Sequence, residues 1–202
     1  MARPAAFDRD EAIKAAMHEI WRRGYEATSV KAMSERLGIT RSSYYNAFGS
    51  RQALFKAVLD AYFEQTPDRP LHQDIPPTMT VRQLLTGTFH NICRARASDP
   101  ERRGCLAVNS LSELAATHDE LGPMLVSAVN GSVDRIEALL KVAVQRGEFD
   151  DTYDTHAGAL ALQTLMIGVN VFAKALKTED ELWLAVQTTL HGLGLYEEPA
   201  NE

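Results

Sequence analysis

The sequence predicts an all-α fold, and three observations support this prediction. Apolar residues recur with the helical period of 3.6 along nearly all of the 202 residues. Glycine, proline and polar clusters interrupt this pattern at intervals of helix length. No run combines the apolar–polar alternation, β-branched residues and hairpin turns that are typical of strands. The interruptions divide the chain into a small N-terminal group of helices, residues 1–63, and a larger helical domain, residues 64–202.

The first predicted helix carries its apolar residues on one stripe. These are Ile13, Met17, Ile20 and Trp21, at positions i, i+4, i+7 and i+8. Its first turn is acidic, which the positive N-terminal end of a helix dipole favours. Gly24 follows two arginines and is expected to end the helix.

Two short helices and a longer one are expected next. Thr28 is a plausible N-cap for the second helix, and Gly38 ends that helix. Thr40 is placed to cap the third helix. The fourth is predicted from a group of large apolar residues at helical spacing: Leu54, Phe55, Val58, Leu59 and Tyr62.

Residues 64–80 contain four of the eight prolines, so a helix cannot continue through them. This segment is expected to be a linker or an ordered loop at a domain boundary. The helical pattern then resumes, and it predicts segments at about 81–97, 105–118, 123–146, 153–176 and 179–194. The expected breaks between these segments are Asp99-Pro100, Gly122-Pro123, Gly147 and the polar residues 177–180.

The helix predicted near residues 155–175 is apolar around most of its circumference, with small residues interleaved. Such a helix is buried on all sides. In a domain of this size, a second copy of the chain is one way to cover the outer face. A homodimer is therefore expected, and the alternative is a central helix in a monomeric bundle. The last helix adds a further apolar stripe: Leu182, Trp183, Val186 and Leu190.

The composition excludes several classes of protein. Two cysteines are too few for a disulfide scaffold and favour a reducing compartment. The first residues lack the apolar core of a signal peptide, and no uninterrupted apolar run approaches the ~18 residues of a membrane span. We expect a cytoplasmic protein that does not enter a membrane.

The charge is distributed unevenly along the chain. Residues 1–63 carry ten basic and seven acidic residues, a net charge of +3, whereas the remaining residues carry a net charge of −9. A basic head on an acidic body suits a protein that offers one face to phosphates.

Residues 28–48 read as short helix, glycine-centred turn and short helix, which is the pattern of a helix-turn-helix. The second short helix has few large apolar residues but many hydrogen-bonding side chains. Arginine pairs bidentately with guanine in the major groove, and hydroxyl groups hold phosphates. The sequence therefore predicts double-stranded operator DNA as a partner. The alternative is a solvated amphipathic helix whose polar residues bind nothing.

The stretch from Phe7 to Tyr62 resembles the DNA-binding domain of the TetR/AcrR family of transcriptional regulators. The resemblance rests on Gly24-Tyr25, Thr28-Ser29-Val30, Leu37-Gly38, Tyr44-Tyr45 and the run from Phe48-Gly49-Ser50-Arg51 to Leu54-Phe55. It implies a three-helix DNA-binding domain, followed by a larger helical domain that binds a ligand and dimerises through its last two helices. It also implies the DNA contacts, which are Thr28, Ser29, Thr40, Arg41, Ser42, Ser43, Tyr45, Asn46 and Arg51.

The expected function is that of a repressor released from its operator by an unknown small-molecule effector. Candidate residues for the ligand cavity are Phe89, His90, Cys93, Cys105, Asn109, Met124, Met166 and Phe172. No cofactor is expected, and no catalytic or metal-binding pattern was found. Two alternatives stay open: a DNA-binding or adaptor protein of the same fold without a ligand, and a small all-α enzyme using Cys105 and His90.

Cys105 carries a separate hypothesis. It follows Gly104 at the expected start of a helix, and two arginines precede it, so helix N–H groups and positive charge would stabilise a thiolate. A reactive thiol in the ligand cavity would sense an oxidant or an electrophile. The alternative is a small buried hydrophobe, which the apolar residues after Cys105 favour.

Overall fold

The computed structural model describes residues 8–176 and 178–198, and over these residues it contains α-helices and no strand. Phe7, where the resemblance starts, and position 177 of one predicted break lie outside the described residues. The helices are α1 (Arg9–Arg23), α2 (Val30–Leu37), α3 (Arg41–Phe48), α4 (Arg51–Phe63), α5 (Val81–Ala97), α6 (Leu106–Leu114), α7 (Leu121–Gln145), α8 (Thr155–Phe172) and α9 (Glu179–Gly192).

The N-terminal helices form as the caps and stripes predict, with one correction. Thr40 caps α3 by accepting a hydrogen bond from the backbone N–H of Ser43, as expected. The cap of α2 is Ser29, whose Oγ accepts from the N–H of Ala32, and the prediction of Thr28 as this cap was wrong. Gly38 ends α2 at φ +65°, a left-handed conformation that glycine adopts without strain.

The proline-rich segment is an ordered loop. It contains a short 3₁₀ turn (Arg69–His72), and Leu71 within it is buried in the core of the larger domain. Arg135 of α7 holds this segment, because its Nε donates to the carbonyl oxygen of Leu71 over 3.1 Å and its Nη2 to that of Gln73 over 2.5 Å.

The predicted break at Gly122-Pro123 lies inside the first turn of α7, so this break was wrong. Proline is tolerated there because the first-turn N–H groups have no partner within the helix. A Cβ at position 122 would lie 2.7 Å from the carbonyl oxygen of Leu114 and 2.8 Å from that of Ala115. Glycine therefore lets the start of α7 approach the end of α6. The helices α6 and α8 are also shorter than predicted.

Two hydrophobic cores organise the chain, and the first extends past residue 63. It contains the inner faces of α1 to α4 together with four leucines of α6 and α7: Leu106, Leu114, Leu121 and Leu125. The second core is formed by α5, α7, α8 and α9. The helix α6 and the start of α7 therefore belong to the packing of the N-terminal helices as much as to that of the larger domain.

The helix α8 is not buried all round within one copy of the chain, so the expected burial of its outer face requires a second copy. Leu160, Val171 and Phe172 each expose about half of their surface, and Leu184 of α9 exposes 64%. By length and composition α8 is also apolar enough to cross a membrane, a criterion that core helices of soluble proteins meet too, and it is the one such helix among the described residues. Its buried positions include the polar Gln163 and Asn170.

Candidate DNA-binding surface and effector cavity

The helix α3 presents a polar surface at the end of the N-terminal domain. Tyr44 and Phe48 point into the core and fix the rotation of the helix. The opposite face exposes six of the expected DNA-contact residues: Thr40, Arg41, Ser42, Ser43, Tyr45 and Asn46. Ser29, at the start of α2, is also exposed. This arrangement can place an arginine and several hydroxyl groups against DNA.

Thr28 and Arg51 depart from their expected roles. The side chain of Thr28 is buried, and its Oγ1 donates to the carbonyl oxygen of Gly24 over 2.8 Å. Arg51 turns inward: its Nε donates to the carbonyl oxygen of Thr28 over 3.0 Å and its Nη2 to that of Tyr25. Its guanidinium carbon lies 3.9 Å from the centre of the Tyr25 ring. We correct both from phosphate contacts to residues that hold the turn between α1 and α2.

A cavity of about 560 Å³ lies between the end of α4, the 3₁₀ turn and helices α6, α7 and α8. We call it the effector cavity. Most of its wall is apolar, including Val108, Leu125, Val129 and Met166. Polar and charged residues also line it, among them Glu64, Asp68 and Arg69, and Ser132 donates a hydrogen bond of 2.8 Å to Gln163. A mostly apolar cavity with polar groups in its wall is typical of sites for small organic ligands.

Of the eight candidate ligand residues, Cys105 and Met166 line this cavity. The other six were wrong as lining residues. Phe89 and Cys93 are fully buried in the second core, because the face of α5 that carries them packs on its neighbours in that core. The ring of His90 packs at a tilt against that of Trp183 of α9, with ring centres 4.7 Å apart.

The remaining three are held elsewhere. Asn109 bridges Arg103 and Lys174 through its side-chain amide. Met124 packs against the first core. Phe172 is half-exposed at the end of α8. The Cys105–His90 pair that an enzyme would need is not formed within the described residues, since Cys105 contacts Tyr62 and His90 contacts Trp183.

The polar lining residues were missed by sequence reasoning, among them Tyr62, Gln163 and Asn170. Gln163 and Asn170 are seven residues apart and both interrupt an otherwise apolar helix. That spacing places them on one face two turns apart, which was a usable signal. Tyr62 gave no signal, because its ring fits the apolar stripe of α4.

Tyr62 connects the cavity to two other groups. Its Oη donates to Sγ of Cys105 over 3.3 Å and accepts from Nη2 of Arg96 over 3.0 Å. Burial raises the pKa of Tyr62 far above its usual value, and the neighbouring Cys105 adds to this. Tyr62 therefore remains a protonated hydroxyl group at neutral pH and a hydrogen-bond donor to the thiol.

The two cysteines are expected to react at different rates. With N-ethylmaleimide, a small electrophile, we expect Cys105 to be modified at least roughly tenfold faster than Cys93. Cys105 lines the cavity, whereas Cys93 is fully buried and burial raises the pKa of its thiol to about 12. Peptide mass spectrometry over time measures both rates. Equal rates in the folded protein would contradict this, and equal labelling in urea serves as the control.

The helix α6 contacts both the effector cavity and the N-terminal helices. The first residues of α6 line the cavity at Ala107 and Val108. Near its other end, the carboxylate of Glu113 accepts the backbone N–H of Tyr25 over 2.9 Å and that of Glu26 over 2.8 Å. The approach is so close that a Cβ at position 24 would lie 2.9 Å from the carboxylate oxygens, which explains Gly24.

Comparison with known proteins gives consistent results over most of the chain. Residues 12–58 match the model of bacterial regulatory proteins of the tetR family, and residues 82–189 match the tetracyclin repressor-like C-terminal domain. The HTH-type transcriptional repressor ComR of Escherichia coli (strain K12) is 28% identical over 188 residues, which cover 93% of this chain and 90% of ComR.

Two further comparisons agree with this. BdcR, another HTH-type transcriptional repressor of the same Escherichia coli strain, is 30% identical over 109 residues, 54% of this chain and 55% of BdcR. A cysteine-substituted mutant of the TetR family regulator CifR, solved with 26bp double-strand operator DNA, superposes with a TM-score of 0.82 at 27% identity. That match covers 94% of this chain and 98% of the CifR chain.

Proposed function

Because the chain belongs to the TetR family of bacterial transcriptional regulators, we propose that it is a cytoplasmic repressor whose dimer is released from an operator by a small molecule. The observation that carries this proposal is the position of α6, which lines the cavity at one end and holds the helix-turn-helix domain at the other. This connection gives a ligand in the cavity a path to the helix-turn-helix domain.

The dimer is proposed from the apolar residues that α8 and α9 leave exposed in one copy. Packing these helices against their symmetry mates would cover Leu160, Val171, Phe172 and Leu184. A stable interface of this kind buries more than roughly 1,200 Å² in total. The two α3 helices would then lie about one turn of DNA apart and read a near-palindromic operator.

Signal transfer is proposed to follow α6. A ligand in the effector cavity displaces the start of this helix at Ala107 and Val108. The helix has nine residues and is about 13 Å long. Because a short helix moves as one body, Glu113 shifts with it and pulls on the backbone of Tyr25 and Glu26, in the turn between α1 and α2. The recognition helices then lose their spacing, and the affinity for the operator falls.

The test of this function is operator selection followed by competition. Rounds of binding to a random DNA pool should enrich a near-palindrome, to which the protein binds at least roughly a thousandfold tighter than to shuffled DNA. A compound that releases this DNA must itself bind more weakly by the same factor when operator is present. No enriched sequence would contradict the DNA-binding proposal. Equal compound affinity with and without operator would contradict induction by that compound.

The link through Glu113 gives a further expected result. Glu113→Ala should lower the free energy of unfolding by about 1–3 kcal/mol, because two backbone N–H groups lose a charged acceptor. Amide hydrogen exchange at Tyr25 and Glu26 should accelerate, and operator affinity should fall. Denaturant unfolding and exchange mass spectrometry measure these effects.

A matched control is available at Glu120, which also contacts the DNA-binding domain. Its carboxylate lies 2.6 Å from Nζ of Lys56, but both side chains are exposed. Glu120→Ala should therefore change the free energy of unfolding by at most about 1 kcal/mol. If the Glu113 variant behaves like the Glu120 variant, the coupling does not pass through Glu113.

A further inference from the structure

A second pocket lies between helix α1 of the DNA-binding domain and the C-terminal end of α5. It has a volume of about 350 Å³. We call it the interdomain pocket. One side is formed by Met17, His18 and Trp21 of α1, and the other by Ala95 and Arg96 of α5. The interdomain pocket adjoins the effector cavity, because Tyr62 lines both spaces.

Arg96 is a buried cation without an anionic partner. Only 4% of the residue is exposed. Its Nε donates to Oδ1 of Asn170 over 2.5 Å and its Nη2 to Oη of Tyr62 over 3.0 Å, and both acceptors are neutral. No carboxylate of the described residues lies within ion-pair distance of Arg96. A buried charge without a counter-charge costs several kcal/mol, so a negative ligand beside it gains the corresponding attraction.

The nearby acidic group is already occupied. Both carboxylate oxygens of Asp99 accept hydrogen bonds from the side chain of Arg103, and the backbone N–H groups of Glu101 and Arg103 donate to them as well. The charges of Asp99 and Arg103 therefore compensate each other. The charge that remains in the wall of the interdomain pocket is that of Arg96.

A residue in the wall of this pocket carries a buried donor without an acceptor among the described residues, which is Nε1 of Trp21. Buried donors without acceptors are rare in folded proteins and each one is costly. Beside its polar residues, the pocket wall includes the apolar side chains of Met17 and Ala95 and the Trp21 ring.

We propose that the interdomain pocket binds a small organic carboxylate, with its charged end against Arg96 and its apolar part between Trp21, Met17 and Ala95. A carboxylate matches the planar guanidinium and brings one negative charge, which is what Arg96 lacks. The ligand touches α1 and α5 together, so it ties the DNA-binding domain to the larger domain. This site is separate from the effector cavity and is not required by the proposed function.

The experiment is calorimetric titration of the full-length protein with benzoate, with benzamide as its neutral isostere and inorganic phosphate as a second anion. Benzoate should bind once per protomer, and at least tenfold more tightly than benzamide or phosphate. Arg96→Met should weaken benzoate binding at least tenfold. Arg94→Met, which removes an exposed charge two residues away, should leave it within twofold.

A second variant tests the site without removing the charge. Ala95→Leu fills the interdomain pocket and should also weaken benzoate binding at least tenfold, whereas Ala107→Leu fills the effector cavity and should not. Circular dichroism establishes that each variant is folded. Absent binding of benzoate, equal binding of benzamide, tighter binding of phosphate, or a loss in Ala107→Leu but not in Ala95→Leu would each overturn the proposal.

Discussion

Replacing Arg41 by alanine is expected to lower the affinity of the dimer for its operator by at least roughly thirtyfold. Arg41 is the first residue of α3, is exposed, and forms no ion pair within the described part of the chain. A bidentate arginine–guanine contact contributes about 1–3 kcal/mol. The dimer presents two copies to two half-sites, so the change in binding free energy is about 2–6 kcal/mol.

The measurement is fluorescence anisotropy of labelled operator and of a shuffled duplex at one salt concentration. Arg41→Ala should lose affinity for the operator and much less for shuffled DNA, because a base contact carries specificity whereas phosphate contacts carry general affinity. Arg94→Ala is the charge-matched control, since Arg94 is exposed on α5 in the larger domain. An Arg41 variant that binds the operator like the wild type would remove this residue from the interface.

The sequence identified the DNA-binding helices better than the cavity, for a physical reason. Caps and turns act over a few residues, so Thr40 and Gly38 could be interpreted from their neighbours alone, whereas the inward orientation of Tyr44 was not predicted. The role of Arg51 could not be interpreted in this way. Its partners are the carbonyl groups of Thr28 and Tyr25, more than twenty residues earlier. Without that tertiary contact, an arginine beside a helix N-terminus looks like a phosphate ligand.

Prediction of the cavity residues from the sequence is limited for the same reason. Helical periodicity identifies faces, but it does not tell which face meets an empty space and which meets another helix. Phe89 and Cys93 share a face of α5, and that face packs into the second core. Gln163 and Asn170 share a face of α8 that reaches the cavity. The packing of each helix against its neighbours decides between these outcomes, and it depends on contacts that single-helix patterns do not contain.

The exposed face of α8 illustrates a related limit of the sequence pattern. Its apolar composition predicted burial, with a second copy as one way to cover the outer face, and within one copy of the chain Leu160, Val171 and Phe172 are about half-exposed. The sequence pattern does not distinguish burial within one chain from burial between two chains. A test of the proposed dimer should therefore substitute a residue of this exposed apolar surface.

Leu184→Glu is expected to convert the dimer to monomers at micromolar concentration and to lower operator affinity more than a hundredfold. Leu184 of α9 exposes 64% of its surface in one copy. In a two-fold symmetric interface each substitution occurs twice. Two unpaired carboxylates buried there cost several kcal/mol, which is a large part of the stability of a standard interface. A monomer holds a single half-site and loses the contribution of the second.

Sedimentation equilibrium measures the first effect and operator anisotropy the second. Val126→Glu is the matched control, because Val126 is an apolar residue of α7 with 41% of its surface exposed. The same charge placed there should leave both the dimer and operator binding intact. The pair of variants separates a specific interface from a general sensitivity of the helices to added charge. A Leu184→Glu protein that sediments as a dimer and keeps its operator affinity would show that α9 does not form the interface, and the exposed face of α8 would then need another partner.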